Sequence, residues 1–85
     1  ISDWNTSNVK IMSGMFYDAT KFNQPICKWN INKVHSFSDM FNLAINFNQD
    51  LNLWKISIFK DTRYMFNNAK SFNKLNCLRV LYKID

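Results

Sequence analysis

Few residues in this 85-residue chain could do chemistry. His35 is the only histidine, Glu is absent, and Cys27 and Cys77 stand fifty positions apart. That spacing fits no metal or redox motif, and no second His, Cys or carboxylate lies at a ligand-like distance along the chain from His35. No column gathers a nucleophile, a base and an orienting group. The expectation is a protein that is not an enzyme, with no catalytic, cofactor-binding or metal residues, no cofactor and no small-molecule substrate.

Two regular series invite a binding role instead. Trp4, Trp29 and Trp54 recur every 25 residues, as do Lys10, His35 and Lys60. The tryptophans could form a platform for stacking sugar rings; the competing reading, taken here, is that they are core. The second series could present a linear array of positive charge to an anionic glycan or nucleic acid; the competing reading is a solvated face. Asn5-Thr6-Ser7 satisfies the N-glycosylation sequon, but it falls on the repeat pattern and is read as coincidence.

The elements that must position these residues are repeats. Met15, Met40 and Met65 share the 25-residue period, as do Phe16, Phe41 and Phe66; Ala19, Ala44 and Ala69; Phe22, Phe47 and Phe72; and Asn23, Asn48 and Asn73. Residues 1–25 laid on 26–50 give eleven identities, and 26–50 laid on 51–75 give eight. Periods of this length signal stacked coils. Three units follow, 1–25, 26–50 and 51–75, with 76–85 as a degenerate fourth unit or a C-terminal cap. No matching cap precedes Ile1, so the chain is expected to be cut from something longer.

Within a unit the apolar spacing changes. Ile26, Trp29 and Ile31 follow the L-x-x-L-x-L pattern of a leucine-rich repeat, in which a short strand lines one face. Ile1, Trp4 and Thr6 repeat it, as do Leu51, Trp54 and Ile56. Val34, Phe37, Met40, Phe41 and Ala44 then follow one face of a helix, matched by Val9, Met12, Met15, Phe16 and Ala19 and by Phe59, Thr62, Met65, Phe66 and Ala69. Ser7, Asn32 and Ser57 are suited to cap those helices, with Ser36 and Asp39 as a competing capping box. The predicted architecture is an α/β solenoid, leucine-rich-repeat-like, with one short strand and one short helix per 25-residue coil. The Trp, Met and Phe columns would form its core, and Asn23, Asn48 and Asn73 an inward asparagine ladder bonding loop backbone.

Composition sets the outer limits. Thirteen Asn suggest low complexity, but three Trp and eight Phe supply more apolar mass than a disordered chain carries. The net charge of +5 permits a polyanionic partner without identifying one. No run of apolar residues is long enough to span a bilayer. The cysteines share a register two coils apart, about 10 Å at one strand spacing per coil, and are expected not to pair.

Trp4-Asn5-Thr6-Ser7-Asn8-Val9, Met12-Ser13-Gly14-Met15-Phe16-Tyr17, Ala19 and Phe22-Asn23-Gln24-Pro25-Ile26 resemble the tandem 25- to 26-residue repeat of bacterial surface proteins. That family is grouped with the BspA-like leucine-rich-repeat proteins, many of them lipoproteins. The resemblance covers roughly residues 1–75; the third unit departs from it at Lys55, Ile58, Asp61 and Arg63. It implies an extracellular or cell-surface repeat module, a non-catalytic scaffold for adhesion and protein binding. Its partner would be a protein or glycan at a cell surface, with membrane contact only through an anchor in a parent protein. The alternative is a polyanion-binding module using Lys10, His35 and Lys60, for which nucleic acid is the less expected ligand because inward aromatics cannot stack on bases.

Overall fold

The computed structural model describes residues 1–81, and for Leu81 the backbone alone. Three coils, 1–25, 26–50 and 51–75, lie on one another in a register of 25 residues. Parallel bridges join Ile11 to Ser36 and Ser36 to Asp61.

Where the apolar spacing predicts a helix, the chain makes a run of turns. Met15 N–H donates to the Met12 carbonyl, Tyr17 to Gly14 and Ala19 to Phe16, each closing a turn three residues long. The amides between them point sideways: Met12, Gly14, Phe16 and Asp18 donate to the carbonyls of Ser36, Ser38, Met40 and Asn42 in the next coil, at 2.8–3.0 Å. The second coil repeats this, with Phe37, Asp39, Phe41 and Leu43 donating to Asp61, Arg63, Met65 and Asn67. Amides thus alternate between bonds inside a coil and bonds between coils. Three-residue turns bring every third side chain inward, which is why the sequence reads as one helix face. An α-helix would spend the same amides along its own axis and leave the coils joined by side chains alone.

The turn run needs backbone that turns left. Gly14, Asp39 and Tyr64 occupy one column with φ between 57° and 65°, and Asp18, Leu43 and Asn68 occupy another with φ between 59° and 64°. Gly, Asp and Asn enter that region most readily, and they fill four of these six positions. Leu43 and Tyr64 hold it against their own preference.

The predicted strands are absent as well. Ile1 to Trp4, Ile26 to Trp29 and Leu51 to Trp54 are each closed by a turn bond from the Trp amide, at 2.9–3.1 Å. Among the described residues, helix is confined to a 3-10 turn, Lys74–Asn76, and one α-helical turn, Leu78–Leu81. Ser7, Asn32 and Ser57 therefore cap no helix. Asn5 and Asn30 instead accept the amides of Ser7 and Asn32 through their side chains, as Asx turns do.

Lys55 stands where the third coil would need that Asn. Its turn slips by one residue: Lys60 N–H donates to the Ser57 carbonyl, where Val9 and Val34 had donated to Thr6 and Ile31, and Ser57 Oγ accepts from Phe59 N–H. Phe59, expected on the inward face, is thrown outward and is 89% exposed.

The core sits in the middle coil, where Ile26, Trp29, Val34, Phe37, Met40, Phe41, Ala44 and Phe47 are all buried. Residues 74–81 lie against the third coil: the Asn76 carbonyl accepts from Leu51 N–H, Leu78 N–H donates to Asn52 Oδ1, and Cys77 and Val80 are buried in the same core. Of the terminal unit expected over 76–85, residues 82–85 lie outside the described residues.

Candidate functional site

Trp29 and Trp54 lie in the core at 4% and 1% exposure. Each indole N–H reaches back 28 residues to a carbonyl of the preceding coil, Trp29 to Ile1 and Trp54 to Ile26, both at 3.2 Å. A buried Trp needs such a partner. Trp4 departs from the core assignment: it is 51% exposed, and only one of its faces is covered, by the Trp29 ring at a centroid distance of 6.1 Å. The physical reason is its place in the first coil, which in this chain has a neighbour on one side only. Met15 is exposed for the same reason, whereas Met40 and Met65 are buried.

The phenylalanines form two ladders zipped together. Phe16, Phe41 and Phe66 stack at 5.6 and 5.5 Å, and Phe22, Phe47 and Phe72 at 5.7 and 5.8 Å. Within each coil the two rings lie 3.8–4.1 Å apart and nearly parallel. Phe22, Phe66 and Phe72 are half-buried rather than enclosed, because they flank the middle coil.

Asn23, Asn48 and Asn73 are brought into line, but on an exposed edge rather than inside a loop. Asn23 Oδ1 accepts the Asn48 amide and Asn48 Oδ1 accepts the Asn73 amide, both at 2.9 Å. Gln49 Nε2 adds bonds to the Asn23 side chain and carbonyl, and Asn76 Nδ2 one to Asn48 Oδ1. The side-chain oxygens of Asn23 and Asn48 thus stand in for backbone acceptors beyond the turn run, whereas Asn73 Oδ1 accepts from Leu75 N–H in its own segment.

Lys10, His35 and Lys60 stand beside one another across the stack. His35 N–H donates to the Lys10 carbonyl at 2.7 Å, and Asp61 N–H to the His35 carbonyl at 3.3 Å. Lys10 and His35 are exposed; Lys60, in the slipped turn, is half-buried. Next to them the Ser13, Ser36 and Ser38 hydroxyls contact one another at 2.8–3.3 Å. In the third coil that surface carries Asp61 and Arg63, paired at 3.0 Å. The Arg63 hydrogen bonds hold the Asp61 carboxyl below its usual range and raise the guanidinium of Arg63.

Both cysteines are free thiols. Cys77 is enclosed, and burial pushes its thiol up to about 11. Cys27 is half-buried beside a shallow hollow lined by Ser2, Pro25, Cys27 and Lys28. Among the described residues no three His, Cys, Asp or Glu side chains gather as metal ligands, and no helix is long and apolar enough to cross a membrane.

Sequence reasoning missed the turn run itself, whose alternate amides bond from coil to coil. The left-handed columns, rich in Gly, Asp and Asn, were the signal that could have disclosed it.

Coils in fixed register, joined by repeating backbone bonds and repeating ring stacks, define a repeat protein. The chain belongs to the family described as Mycoplasma protein of unknown function, DUF285, whose model matches residues 1–78. Comparison with curated proteins and with solved structures gave no match.

Proposed function

We propose that this chain is a non-catalytic segment of a leucine-rich-repeat-like solenoid, displayed at a cell surface and used as a scaffold for adhesion and protein binding. One observation carries the reading: inward columns repeat from coil to coil while outward positions of the turn run change. Met, Phe and Ala recur inside, whereas Ile11, Ser36 and Asp61 share one outward column and Ser13, Ser38 and Arg63 another. A frame held constant beneath a varying surface suits recognition of a macromolecule better than chemistry on a small one. The bacterial surface-repeat and BspA-like resemblance of Trp4 to Val9 and Phe22 to Ile26 supports a surface location. Membrane attachment would then come from an anchor in a parent protein.

Surface proteolysis of intact cells, followed by mass spectrometry for peptides of this chain, tests the location. Binding of the purified chain to immobilised host-surface proteins and glycans tests the role. Peptides recovered solely after lysis, together with no saturable binding, would reject the proposal.

The alignment of Lys10 and His35 supports a second reading, a polyanion-binding stripe. Affinity for heparin would fall steeply with salt, since each neutralised anionic group releases counterion. Lys10→Gln with Lys60→Gln should weaken that binding and leave the fold unchanged. Equal retention of variant and parent on heparin at low salt would dispose of the stripe.

A further inference from the structure

Charge is unevenly spread within the coils. The first ten residues of the three coils together carry five Lys and one Asp, whereas the rest of the chain carries six basic and five acidic side chains. That first stretch of each coil holds two tight turns. In the middle coil the turns are closed by Trp29 N–H to the Ile26 carbonyl and Val34 N–H to the Ile31 carbonyl, and their tips present Lys28 and Lys33 to solvent. In the third coil they are closed by Trp54 N–H to the Leu51 carbonyl and Lys60 N–H to the Ser57 carbonyl, and their tips present Leu53, Ile58 and Phe59.

These apolar side chains are outward by their place in the turns. The same tips face solvent in the middle coil, which has a coil on either side, and Phe59 is outward because its turn has slipped. Trp54 and Ile56, between them in sequence, are buried. Leu75 is a fourth exposed apolar side chain beside them, its carbonyl accepting from Asn52 Nδ2 in the Leu53 turn. Lysines border the patch on two sides: Lys55 is exposed between the two tips, and Lys28 and Lys33 stand one coil away, about 5 Å at strand spacing.

We propose that this edge of the coils binds the surface of an anionic lipid bilayer. Leu53, Ile58 and Phe59 enter the boundary between headgroups and acyl chains, and Lys28, Lys33 and Lys55 meet the phosphates around them. A soluble polyanion would use the lysines and leave four large apolar side chains in water. An apolar protein surface would cover those side chains and strip the lysines of water without replacing it. An anionic bilayer satisfies both, because its charge and its hydrocarbon lie a few ångströms apart along one normal. The contact is made by this chain's own surface, in addition to any anchor. It does not rest on the scaffold reading, which concerns proteins and glycans and is tested without lipid.

The test is co-sedimentation of the purified chain with sucrose-loaded vesicles of phosphatidylcholine, alone or with about one-third phosphatidylglycerol. The chain should pellet with the anionic vesicles, far less with phosphatidylcholine alone, and less as salt rises. Lys28→Gln with Lys33→Gln should lower the partition coefficient by about tenfold or more, the worth of two charges at the headgroup layer. Leu53→Ser with Phe59→Ser should lower it by about tenfold while retention on heparin stays that of the parent. All four side chains are exposed, so circular dichroism of both variants should match the parent. Failure to pellet with anionic vesicles overturns the proposal, as does equal pelleting with phosphatidylcholine alone. Anionic vesicles that bind the Leu53→Ser, Phe59→Ser variant as well as the parent overturn it too, and leave the lysines as a site for soluble polyanions.

Discussion

Trp29 and Trp54 carry two loads at once, apolar area enclosed by the core and an indole N–H bonded across the coil boundary. Trp29→Ala should cost roughly 3–5 kcal/mol, the range for truncating a buried aromatic, measured by urea denaturation. Trp4→Ala should cost far less, since half of that side chain already meets water. Equal losses at the two positions would show that coil 1 is covered in solution. Cys77 adds a pH dependence. Its thiol titrates at about 11 when folded against an ordinary 9.0, so the folded state holds the proton more tightly. Stability from this group is full below pH 9 and declines as pH rises toward 11, by about 2–3 kcal/mol at most. Denaturation midpoints at pH 8 and pH 10.5, compared between the parent and Cys77→Ala, would read it. A decline of the same size in the variant assigns it to other groups.

At the scale of the element, the turn run explains why the sequence was legible in its period and misleading in its secondary structure. Val34, Phe37, Met40, Phe41 and Ala44 mark one inward face whether the backbone is an α-helix or a succession of three-residue turns. Periodicity alone gives the same answer for both. What separates them is the use of the amides, and that depends on a neighbouring coil which a single repeat does not display. Which residues repeat, and that Phe and Asn form columns, could be read from the chain. Exposure of Trp4 could not, because it follows from position in the stack. The slipped turn at Phe59 lay in between: Lys55 was visible as a departure, but its consequence needed the Asx turns of Asn5 and Asn30 for comparison. Phe59→Ser should accordingly change stability by less than about 0.5 kcal/mol, as surface substitutions do, whereas Phe37→Ala should cost about 3–5 kcal/mol. Gly14→Ala should cost about 1–2 kcal/mol, because a Cβ meets no neighbour closer than 3.9 Å there and the penalty is that of the left-handed backbone itself. Thermal melts of the three variants would check the ranking; a costly Phe59→Ser would contradict the exposed placement.

For the whole molecule, the repeated coil boundary has a mechanical meaning. The lateral bonds run from coil to coil, along the direction in which the stack would be pulled by its two ends. Tension would load one boundary at a time and peel it, rather than shear all of them together. Each released coil of 25 residues adds about 80–90 Å of contour length at the reach of an extended chain. Force spectroscopy on the chain held between well-characterised handles should show a few small steps near that length at low force. A single large rupture would mean that the double phenylalanine ladder binds the coils into one unit. Stepwise yielding would make the chain a spring that lengthens under load and restacks when the load is removed, each coil templated by the row of carbonyls or amides on its neighbour.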